Sequence, residues 1–140
     1  MKILEILTEK RLTGNKGERE AARFLKKQGY KILKRNYVGT DSEIDIIAKN
    51  NQTLVFVEVK TRHLSAIDPK EPRPASAVNP QKQRKIISCA SQYKRRFGDG
   101  YRMRFDIIEV YLDNSSGKDR LHDIKHLIGA FDMNTAYAKH

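Results

Sequence analysis

The spacing of apolar and polar positions divides the chain into helical and extended blocks. From Asn15 to Gln28 the spacing is helical, with Asn15 as N-cap and Gly29 as stop. Ala22 and Leu25 lie four and seven residues after Glu18, so all three share one stripe of that helix. Extended blocks follow. Tyr30 to Val38 reads as a first strand, with Ile32 and Leu33 its most apolar part, and Gly39-Thr40-Asp41-Ser42 as a turn. Glu43 to Ala48 is a second strand, with Glu43, Asp45 and Ile47 on one face and Ile44, Ile46 and Ala48 on the other. Asn50-Asn51 leads as a hairpin into a third strand, Thr53 to Lys60.

Beyond that strand the pattern lapses. Residues 63–78 hold Pro69, Pro72 and Pro74 and no period, which predicts a long flexible loop leaving from the strand end. Asn79-Pro80 then starts a helix that runs to Phe97, with Ile86, Ala90, Tyr93 and Phe97 as its apolar stripe. Gly98-Asp99-Gly100 turns into a strand from Tyr101 to Leu112, and Asn114 to Gly117 is a further turn. Leu121 to Phe131 is apolar but fits strand or helix equally. Residues 132–140 read as a loose tail and residues 1–12 as an arm or short helix. No repeat or linker divides the chain, so residues 1–140 are expected to form a single domain.

The third strand carries an anomaly. Glu58 and Lys60 close an otherwise apolar run and point to the same side, away from Val57 and Val59. A charge at the end of a buried strand is costly unless it is paired or bound to a metal. The second and third strands are antiparallel neighbours in this reading, so the start of one meets the end of the other. Asp45, Glu58 and Lys60 then gather at one end of the sheet. Glu18 faces the core from the first turn of its helix and can reach the same end; an early Glu also simply complements the helix dipole.

Composition narrows the chemistry. The formal net charge is +11 over 140 residues, with 32% charged and 39% hydrophobic residues. That combination belongs to a globular chain with a polyanionic partner, nucleic acid before membrane, since no segment reads as a membrane-lying helix. Lys82, Arg84, Lys85, Lys94, Arg95 and Arg96 give the second helix a basic surface, and Arg62 shares the face of Lys60, placing it for a phosphate contact. Cys89 is the sole cysteine, so no internal disulfide can form; it sits on the apolar side of its helix and reads as a packed thiol. The first eleven residues are too short and too charged for a signal sequence or membrane span, and the expected location is cytoplasmic. His122 and His126 have helix-turn spacing but no accompanying ligand, and Asp106 is expected to pair with Arg104 or Arg102.

Phosphodiester hydrolysis needs an activated water and shielding of phosphate charge. Divalent Mg or Mn meets both needs through hard oxygen ligands. Asp45 and Glu58 suit such an ion, Lys60 can hold the attacking water or offset phosphate charge, and Glu18 can assist. The same carboxylates and lysine also suit a structural ion-pair cluster, and the strands alone leave both readings open.

The motifs Lys16-Gly17-Glu18-Arg19-Glu20, Gly29-Tyr30, Asn36-Tyr37, Glu43 to Ala48, Phe56 to Arg62, Arg104-Phe105-Asp106 and Ala130-Phe131 together make the chain resemble the YraN-like family of bacterial proteins. More distantly it resembles archaeal Holliday junction resolvases, within the restriction-endonuclease-like superfamily bearing the PD-(D/E)XK motif. The resemblance implies an α/β fold with an α-β-β-β-α-β core, a mixed central sheet flanked by helices. It implies Asp45 as the aspartate of the motif, Glu58 and Lys60 as its E-x-K half and Glu18 as the helix-1 glutamate of the resolvases. Ser42 stands where the family commonly has glycine, and no proline precedes Asp45. The implied activity is a Mg- or Mn-dependent DNA endonuclease acting on branched or structured DNA. Junction cutting requires two sites, so a homodimer is expected with that substrate. Two other readings keep the basic surface without catalysis: a nucleic-acid-binding module, and a small structural protein bound to the ribosome or RNA through charge.

Overall fold

The computed structural model describes residues 16–67 and 78–138. Helix α1 covers residues 16–27, the described part of the first predicted helix; its expected cap at Asn15 and the arm before it lie outside the described residues. Ala21, Ala22 and Leu25 are buried as the helical stripe predicts. The helix stops at Gly29 for a geometric reason. Gly29 sits at φ +93°, its N–H donates to the Lys26 carbonyl, and the Tyr30 N–H reaches back to Leu25 at 3.0 Å. That is a Schellman ending, which favours glycine at its left-handed position.

Five strands follow: β1 (Lys31–Val38), β2 (Glu43–Asn50), β3 (Thr53–His63), β4 (Arg102–Asp113) and β5 (Arg120–Phe131). They lie side by side in the order β1-β2-β3-β4-β5. The β1–β2 and β2–β3 pairs are antiparallel, β3–β4 is parallel, and β4–β5 is antiparallel. The parallel pair needs a crossover, and helix α2 (Pro80–Phe97) lies within it. The Asn79 side chain caps α2 by accepting from the Lys82 N–H, with Pro80 in the first turn.

Both faces of the sheet are covered, which explains why Ile46, Ile47 and Ala48 are all buried in succession. On one face Ala21, Ala22 and Leu25 of α1 pack with Ile46, Ala48, Val55, Val57, Ile108, Val110 and Leu112. On the other, Ile86, Ile87, Cys89, Ala90 and Tyr93 of α2 pack with Ile44, Ile47, Leu54, Phe56, Phe105 and Ile107. Phe56, Phe105 and Phe131 stack in sequence, with ring centroids 5.6 and 5.3 Å apart. The fold is thus α/β, with a mixed sheet flanked by helices, and it contains the α-β-β-β-α-β order expected from the sequence.

Four details depart from the sequence reading. Ile44 does not share the face of Ile46 and Ala48; it joins the α2 side with Ile47, because strict alternation breaks at Asp45. The ambiguous segment 121–131 lies within β5, which extends the sheet by a fifth strand. The predicted loop begins later: His63 still belongs to β3, Leu64–Ala66 form one turn of 3-10 helix, and residues 68–77 lie outside the described residues. In place of a loose tail, Asp132 caps a short helix α3 (Met133–Ala136), with a reciprocal capping box through Thr135. Ala136 is fully buried, and Gln83 of α2 accepts from the Thr135 hydroxyl.

Candidate active site at the end of the β2–β3 ladder

Antiparallel pairing of β2 with β3 runs from Asn50↔Thr53 to Ile46↔Val57 and ends there. Past that point the Val59 N–H donates to the Asp45 Oδ2 at 2.8 Å. The Asp45 side chain therefore satisfies a strand donor that the ladder has ceased to serve. This fixes the carboxylate beside Glu58, whose side chain points to the α2 side of the sheet and is 9% exposed.

The Glu58 Oε1 lies 2.7 Å from the Lys82 Nζ on α2 and 3.9 Å from the Lys60 Nζ two residues along its own strand. Glu18 arrives from α1. Its helix can approach because Gly17 has no side chain: a Cβ there would stand 2.0 Å from the Thr61 Oγ1. The Glu18 Oε2 is 3.7 Å from the Arg35 Nη2, and the Asn36 side chain also hydrogen-bonds Glu18. Asn36 sits at φ +52° in the edge strand β1.

Crowding shapes the protonation of this group. Burial raises the Asp45 carboxyl to about 7, with the nearby Glu58 charge adding to the effect, and Glu18 and Glu43 behind it; the Val59 N–H opposes them. Burial likewise raises Glu18, while Asn36 and Arg35 pull it back. Carboxylates held this way favour a cation among them. Two hard oxygen donors, Asp45 and Glu58, suit Mg or Mn completed by water or phosphate. Among the described residues no three His, Cys, Asp or Glu stand close enough to hold a metal ion by themselves. Lys82 now supplies the positive charge on Glu58.

A family model described as "Uncharacterised protein family UPF0102" matches residues 17–110. The chain belongs to the UPF0102 family. It is 40% identical over 132 residues to a UPF0102 protein of Desulfosudis oleivorans, covering 94% of this chain and 98% of that one. It is 38% identical over 122 residues to a UPF0102 protein of Chlorobium phaeobacteroides, covering 86% and 93%. A third UPF0102 protein, of Caldanaerobacter subterraneus, is 42% identical over 124 residues, covering 87% and 96%. The family match spans every residue named above from Glu18 to Lys82, and stops within β4.

Of the basic residues expected to meet nucleic acid, this UPF0102 chain brings Lys82 and Lys85 together at one cleft, and Lys82 also reaches Glu58. Both line a cleft of about 340 Å³ with Asp41, Ser42, Asn79 and Gln81. Arg62 follows Lys60 on the same face and is half-buried, and its Nε has no hydrogen-bond partner. Arg84 is engaged elsewhere: its Nη1 donates to the Ala136 carbonyl at 2.7 Å and its guanidinium stands over the Tyr137 ring.

Asp106 lies on the α1 face and is fully buried. Burial pushes its carboxyl up, but hydrogen bonds from His126, Arg104 and the Gly129 N–H outweigh this and hold it below the usual range. Arg104 also donates to the Tyr30 hydroxyl at 2.7 Å. The expected Asp106–Arg104 pair is present, and His126 serves it at 2.7 Å. His122 is exposed on β5. Cys89 is buried, with the Gly39–Ser42 turn against it.

One acid near the site was not singled out from the sequence. Glu109 is 2% exposed and stands opposite Lys60 in the β3–β4 register. Its signal was available: it is a lone carboxylate in the apolar run Ile107 to Leu112, the same oddity that marks Glu58.

Proposed function

We propose that this chain is a Mg- or Mn-dependent nuclease that hydrolyses phosphodiester bonds in DNA, with branched or structured DNA as its substrate. The observation that carries this reading is the pairing of two carboxylates, Asp45 and Glu58, at the end of a sheet ladder, with one of them held near neutrality. A buried carboxylate raised in this way beside a second one marks a candidate functional site. The resemblance of Glu43 to Ala48 and of Phe56 to Arg62 to the PD-(D/E)XK nucleases supports the same assignment, as does the net charge of +11.

Asp45 and Glu58 would hold the cation. Bound there, it would supply Lewis acidity toward a phosphate oxygen and lower the pKa of water. The protein's own groups do the rest. The Val59 N–H fixes Asp45 through Oδ2. Lys60, on the same face as Glu58 and 3.9 Å from its Oε1, would orient the attacking water and offset charge on the scissile phosphate. Glu18, steadied by Asn36 and Arg35, would serve as an auxiliary ligand to the ion or its bound water. Arg62, Lys82 and Lys85 draw the phosphate backbone toward the site.

Junction, flap and linear DNA incubated with Mg or Mn test the reading directly. Cleavage by the wild type that disappears in Asp45→Asn and Lys60→Ala, with DNA binding retained, is the expected result. Binding without metal-dependent cleavage in the wild type would instead identify a nucleic-acid-binding module. A preference for ribosomal RNA indifferent to both substitutions would identify a charge-bound structural protein. Light scattering of the junction complex should give a dimer.

A further inference from the structure

Lys82 stands between two partners. Its ammonium touches Glu58 Oε1 at 2.7 Å, while its side chain, 43% exposed, also lines the cleft of about 340 Å³ that opens beside the β1–β2 turn. The backbone at Lys82 is pinned, since its N–H donates to the Asn79 side chain at the helix cap. The long flexible stem is therefore the part free to change partner. Lys60 lies farther from the same oxygen, at 3.9 Å, and springs from the strand itself.

We infer that Lys82 is a built-in counter-ion that occupies the cation position on Glu58 and is handed to phosphate in the adjoining cleft when a divalent ion takes its place. This rests on the metal reading of Asp45 and Glu58 proposed above. A divalent cation on Glu58 and an ammonium at 2.7 Å from the same oxygen repel each other strongly in a partly buried site. The displaced ammonium can swing into the cleft that Lys82 already lines together with Lys85 and Asp41. Two lysines there form a point-charge site for a nucleic-acid phosphate. Metal and nucleic acid then bind cooperatively through one side chain, and the empty site neutralises itself. Lys82 is a positioning residue in this scheme: it acts through the Glu58 carboxylate and the substrate backbone.

The test is binding of Mn(II) to the full chain without nucleic acid, followed by electron paramagnetic resonance of the free ion. Lys82→Met is expected to bind Mn(II) about tenfold tighter than wild type, because the competitor is gone. Lys85→Met removes the same charge from the cleft and should leave the affinity within about twofold. Lys82→Arg keeps the charge and the pairing and should bind no tighter than wild type; Lys82→Gln, which removes the charge with a polar side chain, should match Lys82→Met and serves if that variant folds poorly. In a second measurement, the gain in affinity for a fluorescein-labelled DNA duplex on adding Ca(II) should be at least about fivefold smaller in Lys82→Met than in wild type. Equal Mn(II) affinity in Lys82→Met and Lys85→Met, or an undiminished Ca(II)-linked gain, overturns the inference. If wild type takes up Mn(II) and Asp45→Asn does not, the metal site stands however Lys82 behaves. If wild type takes up none, both fall.

Discussion

The Asp45 Oδ2 accepts from the Val59 N–H at 2.8 Å at the point where strand pairing between β2 and β3 has ended. A side chain thus substitutes for a backbone carbonyl, and the loss of ladder turns an aspartate inward. Ile44 is rotated to the opposite face by the same break. The candidate site lies where β2, still paired with β1, stops pairing with β3 one residue short of Asp45.

That position costs stability in a pH-dependent way. The folded Asp45 carboxyl titrates near 7, against an ordinary value of 3.8. The folded state therefore binds the proton more tightly, and stability falls as pH rises from about 4 to about 7 and is flat above. The full shift would correspond to about 4 kcal/mol at 1.36 kcal/mol per unit, and solvent screening of a half-buried group reduces this. Asp45→Asn keeps the acceptor for Val59 and removes the charge. It should be about 1–2 kcal/mol more stable than wild type at pH 8 and unchanged at pH 4, measured by urea denaturation. Equal stability at both pH values would contradict the assignment.

The approach of α1 to β3 depends on the absence of one methyl group. Gly17→Ala would bring a Cβ within 2.0 Å of the Thr61 Oγ1. The expected cost is about 1–3 kcal/mol from overpacking, with a loss of cleavage beyond the loss of stability, because Glu18 rides on the same turn. Removing the hydroxyl and methyl with Thr61→Ala in the Gly17→Ala background should recover at least half of the stability. A thermal melt series on the four proteins of this cycle measures the coupling.

Asp106 gives the opposite kind of prediction. It is fully buried with hydrogen bonds from Arg104, His126 and the Gly129 N–H. Asp106→Ala leaves the half-buried Arg104 guanidinium without its carboxylate and should cost about 3–5 kcal/mol. The low carboxyl pKa adds stability that is present above the ordinary carboxylate range and lost as pH falls through the folded value. The acid limb of the unfolding curve should therefore be shallower in a folded Asp106→Asn variant. Circular dichroism from pH 6 to pH 2 checks this.

Much of this arrangement is legible in the sequence. Glu58 and Lys60 declared themselves as charges in an apolar strand, and period-two alternation placed them on one face correctly. Gly29 and Asn79-Pro80 bounded their helices as their backbone chemistry requires. What alternation could not show is where a ladder ends, so Ile44 was assigned to the wrong face. Nor does a helical period say which lysine reaches across to another element: Lys82 reads as a basic-surface residue for phosphate contact, yet it also pairs with Glu58. Leu121 to Phe131 stayed ambiguous because an edge strand buried on one side, interrupted near Gly129 at φ +62°, has no clean period. The short helix after Asp132 follows from a capping box that was in the sequence, Asp132 with Thr135, but four residues carry too little pattern to announce it.

Metal binding should report Asp45 through protons. The ligand form is the carboxylate, and its folded pKa lies near 7. Below that value a divalent ion must displace a proton, so affinity should rise about tenfold per pH unit from 5 to about 6.5 and level off above about 7.5. Titration calorimetry with Mn(II) in two buffers of different ionisation enthalpy gives the count: close to one proton released at pH 5.5, close to none at pH 8.5. Glu18, also raised by burial, adds a fraction of a proton only if it moves toward the ion. Asp45→Asn should abolish the proton release together with most of the affinity, while Glu18→Gln should keep the Asp45 proton and weaken binding less. A Mn(II) affinity that does not change between pH 5 and 7 would mean that the ion sits away from Asp45, and the nuclease assignment would lose its central residue.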